Sequence, residues 1–220
     1  MEVHEEWLSR RSVYEKILAA LDSVPWNRAP DVVPIKPLNR KNVEFFPGHC
    51  GYVGSDFPVG GIMVLANNFS TLNGWNDYCK EPDRESGTPT WRKLRLMIAA
   101  SGLPMEPFWF TNYCHGVMDR AKESYDFPHR IIKKLEFDRV FMECVEAMRP
   151  TLIVTLGNLP AQCIGTDFAL RNDIESRTIS GHQTRLLAAV HPSGWTWQGL
   201  GFSDDDFRRE GERIGRAASA

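Results

Sequence analysis

Thr151-Leu152-Ile153-Val154-Thr155-Leu156-Gly157-Asn158-Leu159-Pro160-Ala161-Gln162 is a short run of branched apolar residues that stops abruptly at a glycine and an asparagine. Six such residues are too few for a core helix and suit a strand buried on both faces, as in a parallel sheet. The same pattern occurs three more times. Gly60 to Ala66 is followed by Asn67-Asn68-Phe69-Ser70, Pro107 to Thr111 runs into Asn112-Tyr113, and Arg185 to Val190 runs into His191-Pro192-Ser193. Helical spacing of apolar residues separates the runs, at roughly Thr90–Ser101, Phe137–Met148 and Pro160–Ile164. Strands alternating with helices predict an α/β fold in three layers, a four-stranded parallel sheet flanked by helices.

Outward from this core, the first ~25 residues read as a helix through Trp7, Val13, Ile17, Leu18 and Leu21, ended by Val24-Pro25. Residues 26–58 are rich in Pro, Asn and Gly and read as a long irregular connection. Ser203 to Ala220 reads as a charged amphipathic helix. The expected organisation is a single domain over residues 1–220, with a helix and wrapping loop in 1–58 and the core in 60–200.

The 220 residues suffice for one α/β domain, and 42% hydrophobic with 25% charged residues is an ordinary globular profile. No apolar stretch approaches the ~18 residues of a membrane span. The polar, acidic start Met1-Glu-Val-His-Glu-Glu does not read as a signal peptide. A cytoplasmic, nucleoid-associated location and no membrane partner are expected. Five scattered cysteines, at 50, 79, 114, 144 and 163, form no CxxC and no zinc or iron–sulfur spacing, and read as reduced thiols. No metal and no cofactor are expected. The net charge of −2 is low for a nucleic-acid-binding domain, but basic residues cluster locally at Arg10-Arg11, Arg40-Lys41, Arg92 to Arg95 and Arg130 to Lys134.

Each apolar run ends in a side chain able to make directed hydrogen bonds: Asn68, Asn112, Asn158 and His191. In open α/β sheets the ligand crevice lies beyond the carboxyl ends of the strands, so the fold itself would gather these residues on one rim.

With these motifs in that order the chain resembles the uracil-DNA glycosylase superfamily over about residues 60 to 200. Ala66-Asn67-Asn68-Phe69-Ser70 occupies the place of that family's first motif, without its usual Gly and Pro and without a carboxylate. Phe110-Thr111-Asn112 resembles the Thr-Asn motif after the second strand, and Val154-Thr155-Leu156-Gly157 the Val-x-Leu-Gly of the third. His191-Pro192-Ser193 matches the His-Pro-Ser after the fourth. The resemblance implies a uracil-DNA glycosylase-like fold and a monomeric enzyme that hydrolyses the N-glycosidic bond of uracil or a related deaminated base in single- or double-stranded DNA. The altered first motif keeps two alternatives in view: a member that binds nucleic acid or a nucleobase without cutting, and a nucleoside or nucleotide hydrolase.

Base excision makes the sugar cation-like and the leaving base anionic, so donors preorganised on the base contribute most. His191 would donate an imidazole N–H to the O2 of a departing uracil; its alternative is a loop cap. Asn68 would orient the attacking water through its amide oxygen, without the basicity to deprotonate it; its alternative is closing a turn. Asn67, one residue earlier in the same motif, rivals Asn68 for this role. Asn112 presents one donor and one acceptor, matching the O4 and N3–H of uracil, or else is a buried structural amide. Ser193 and Phe69 would line the base pocket, with Phe69 stacking on the base. Trp195, two residues beyond Ser193, would be the wedge inserted into DNA when the base flips.

Overall fold

The computed structural model describes residues 2–35, 57–68, 71–80, 88–118, 128–166, 174–193, 199 and 201–220. The chain opens with helix α1 (Glu2–Asp22), a 3₁₀ turn at Trp26–Arg28 and a short strand β1 (Val32–Pro34). Strand β2 (Ile62–Ala66) leads to α2 (Leu72–Lys80) and α3 (Pro89–Ser101), then to β3 (Phe108–Asn112) and the short β4 (Gly116–Met118). After α4 (His129–Lys134) and α5 (Phe137–Met148) come β5 (Leu152–Leu156) and α6 (Asn158–Cys163). A hairpin of β6 (Glu175–Ile179) and β7 (His182–Ala189) precedes the last helix, α7 (Asp204–Ser219).

The sheet runs β3-β2-β5-β7-β6, with the first four strands parallel and β6 antiparallel at the edge. The four apolar runs are therefore the four parallel strands, and every residue of β2, β3 and β5 is buried. The expected four-stranded sheet has five strands. Edge strand β6 reads Glu-Ser-Arg-Thr-Ile and buries only its last residue, so it carries none of the apolar continuity that marks the others. It is joined to β7 by Ser180-Gly181, both at positive φ (48° and 72°), the backbone of a two-residue hairpin turn. The stretch 26–58 also departs from the irregular reading, because β1 pairs antiparallel with β4 in a separate small sheet.

Alternate residues of the strands feed two cores. On one face Met63, Leu65, Trp109, Ile153 and Leu186 meet α1, α4 and α5; on the other Val64, Phe108, Phe110, Val154 and Leu187 meet α3 and α7. Helix α5 buries Phe137, Val140, Phe141, Cys144, Val145 and Met148, the three-and-four spacing of one apolar face. Helix α3 starts at Thr88, whose hydroxyl accepts from the Trp91 N–H, has Pro89 in its first turn, and stops at Gly102. Helix α7 starts in a capping box between Ser203 and Asp206, with three aspartates at its positive end. The two helices cross closely: a Cβ on Gly211 would lie 2.0 Å from the Met97 carbonyl oxygen and one on Gly215 2.3 Å from that of Ser101.

From β2 the chain steps to β3 on one side, and from β5 it steps to β7 on the other. The crevice of such a sheet opens at this change of direction, beyond the carboxyl ends of β2 and β5. All the strand-end residues singled out from sequence that the structure describes lie along this edge.

Candidate functional site at the carboxyl ends of the strands

Four neighbouring strand ends build the rim. Asn112 closes β3, Asn67 and Asn68 follow β2, Gly157 follows β5, and His191 follows β7 one residue past Val190. Three strand spacings, about 14 Å, separate the first of these backbones from the last, a gap that inward-pointing side chains can narrow around one base.

The Asn112 half is tied down by backbone and burial. Asn112 pairs with Ala66 across the sheet. The chain beyond β3 stays alongside β2, with the Tyr113 N–H donating to the Ala66 carbonyl and the Cys114 N–H to that of Asn67, each at 2.8 Å. Asn67 is buried and Asn68 half-buried. Asn112 is only 3% exposed, yet no described residue exchanges a hydrogen bond with its side-chain amide. Its side-chain amide keeps a donor and an acceptor that no described residue takes up. Next to it, Tyr113 is buried and its hydroxyl donates to Asp138 Oδ1 at 2.5 Å, fixing the strand end to the first turn of α5. Burial and that carboxylate raise the Tyr113 pKa, so the phenol keeps its proton.

The His191 half rests on a glycine. Gly157 has φ +88°, a left-handed conformation that a side chain would strain, and its N–H donates to the Ala189 carbonyl at 2.9 Å. A Cβ there would stand 3.2 Å from His191 Cβ, so the imidazole side chain packs directly over the bare backbone at the end of β5. The Ser193 N–H donates to His191 Nδ1 at 3.1 Å across the intervening Pro192. Nδ1 can accept only when it carries no proton, which leaves the hydrogen of the neutral ring on Nε2. Burial pushes the His191 pKa down to about 4, so the ring is neutral across the physiological range. The result is a single uncharged N–H donor of fixed tautomer, with no described residue engaging it.

The structure thus brings Asn67, Asn68, Asn112, His191 and Ser193 to one rim. Ser193 contributes its backbone N–H to the histidine. Phe69 and Trp195 lie outside the described residues. Asn158, exposed at the start of α6, stands at the same edge. Two contributors were not singled out from sequence. Gly157 belongs to a quoted motif, but its contact with His191 joins strands 34 residues apart. The Tyr113–Asp138 hydrogen bond is likewise invisible until α5 is docked.

His115 is a useful contrast. It is also neutral, its pKa pushed down to about 3 by burial, but it sits inside the core with its ring edge-on to Phe137 at 6.3 Å. Cys114 and Cys144 are buried and Cys163 half-buried, all as free thiols. Burial pushes Cys144 up to about 12 and, with Asp138, Cys163 up to about 11, so both stay protonated and poorly nucleophilic. Among the described residues no group of three or more His, Cys, Asp or Glu is arranged to hold a metal ion. No described helix is long and apolar enough to cross a membrane.

No family model matches the sequence, and a comparison with curated proteins finds no match. Within these findings the chain is an α/β protein with a five-stranded, mostly parallel sheet flanked by helices.

Proposed function

We propose that the rim is the active site of a DNA glycosylase that removes uracil or a related deaminated base by hydrolysis. The observation that carries this reading is His191: a neutral imidazole whose tautomer leaves Nε2–H as the donor. As the glycosidic bond lengthens, charge builds on the O2 oxygen of the base, and a donor already in place meets it without reorganisation. A neutral donor suits an anionic leaving group in another way, because no proton has to be taken from water beforehand. Asn112, a buried amide with hydrogen-bonding capacity to spare at the opposite half of the rim, fits recognition of the N3–H and O4 edge. Asn68 or its neighbour Asn67 orients the water. An amide leaves that water undeprotonated, so the sugar cation must form largely before attack and turnover is slow.

The test is cleavage of oligonucleotides carrying uracil, hypoxanthine or xanthine, single- and double-stranded, with abasic sites revealed by alkali. Strand breaks at one of these bases are expected, reduced about 10²–10³-fold in His191→Ala. No cleavage above the level of that variant, at high protein concentration, would sink the reading.

A further inference from the structure

Helix α4 presents three cations and no acid to solvent. Its six residues are His129-Arg130-Ile131-Ile132-Lys133-Lys134; the two isoleucines are buried in the core, and the other four residues are exposed. Several cations on the other helices are paired. Arg208, Arg209 and Arg213 of α7 each pair with an acid three residues away, Arg139 of α5 pairs with Glu136 and Glu143, and Lys93 of α3 pairs with Asp204. Among the described residues Arg130, Lys133 and Lys134 of α4 take part in no ion pair. Lys16, Arg92, Arg149 and Arg216 are also exposed without an ion pair among the described residues, so what distinguishes α4 is that three unpaired cations stand together on one short helix.

Position adds to composition. Helix α4 leads through Leu135-Glu136 into α5, whose second residue, Asp138, accepts from Tyr113 directly beyond Asn112. Phe137 meets His115, three residues past the same strand end. A six-residue helix is about 9 Å long, so all of α4 stays close to the α5 start that is anchored to the Asn112 strand end. From these observations we infer that the outer face of α4 binds the phosphate backbone of the DNA whose base enters the rim. The inference rests on the proposed reading for what occupies the rim, but the surface itself is argued from charge. Solvated, unburied cations hold a single anion hardly at all, since exposed ion pairs contribute about 0–1 kcal/mol. A polyanion is different, because each neutralised phosphate releases condensed counterions and the contributions add along the strand.

The experiment is fluorescence anisotropy of an undamaged, end-labelled 20-nucleotide DNA, single- and double-stranded, titrated at salt from about 50 to 200 mM. The full chain is compared with Lys133→Glu/Lys134→Glu and with a charge-matched control, Arg149→Glu/Arg216→Glu, whose residues are exposed at the opposite end of α5 and near the end of α7. At 50 mM salt the α4 variant should bind about tenfold or more weakly than the control, and its slope of log affinity against log salt should be shallower by about 1.5. Equal affinity and slope in the two variants would overturn the inference, as would no measurable binding by the wild-type chain. Cleavage of uracil DNA is scored separately. Cleavage with α4 and control variants binding alike overturns the α4 surface and leaves the glycosylase reading standing. DNA binding that depends on α4 without cleavage does the reverse.

Discussion

The two halves of the rim are built on different principles. Around His191 the chain uses backbone to hold the ring, a left-handed glycine for it to rest on and one N–H to set its tautomer, while burial keeps it neutral. Around Asn112 a side-chain bond is added to the backbone ties, with Asn112 sunk to 3% exposure and its neighbour Tyr113 bonded to Asp138. The first half leaves a donor whose proton position is fixed. The second leaves a buried amide with capacity for a ligand. A donor that must meet developing charge benefits from rigidity, and a reader of base edges benefits from being dry, because a hydrogen bond withheld from water discriminates more strongly.

Gly157→Ala should break the comparison most sharply. The methyl group would enter a φ of +88° and press on His191 Cβ, so the chain loses about 1–3 kcal/mol of stability and excision falls about 100-fold, while DNA binding is retained. Chemical denaturation and single-turnover excision check this; unchanged excision would show that Gly157 does not position the ring. Asn112→Ala should act on the other half alone. One lost hydrogen bond to the base in a dry site is worth about 1–3 kcal/mol, hence a drop in kcat/KM of roughly 10–100-fold with stability hardly changed, because no described partner is left unsatisfied. A large loss of stability instead would make Asn112 a structural amide. Tyr113→Phe should be mildest, costing about 1 kcal/mol in a denaturation midpoint through the loss of the Asp138 contact, with excision close to wild type.

The difference between the halves also marks how far the sequence could be read. The four parallel strands were legible because strands buried on both faces are uninterrupted apolar runs. The edge strand β6 was not, since Glu175 to Thr178 are polar on both faces of the strand and only Ile179 is buried; the Ser180-Gly181 turn was its one signal. Strands β1 and β4 are three residues each and exist only because they pair with one another. The short helices α2 and α4 lacked the length for a periodic signal. At the site, the residue types were legible as strand-end side chains, whereas the contacts that tune them were not. The packing of Gly157 on His191 and the bond from Tyr113 to Asp138 join positions 34 and 25 residues apart, and only the docked fold brings them together.

The pH dependence follows from the same burial. His191 and His115 bind protons more weakly folded than unfolded, with pKa values near 4 and 3 against an ordinary value near 6.5. Their neutral burial leaves stability at its full level above pH 6.5. Stability is then lost as pH falls from there toward 4, where the unfolded chain takes up protons that the folded one refuses. The most direct test of the central claim is the ¹⁵N spectrum of the His191 imidazole in the folded protein between pH 4.5 and 8, assigned by its disappearance in His191→Ala. The predicted result is a neutral ring throughout that range, with the hydrogen on Nε2 and none on Nδ1. A ring that titrates near 6.5, or one that carries its hydrogen on Nδ1, would contradict the account.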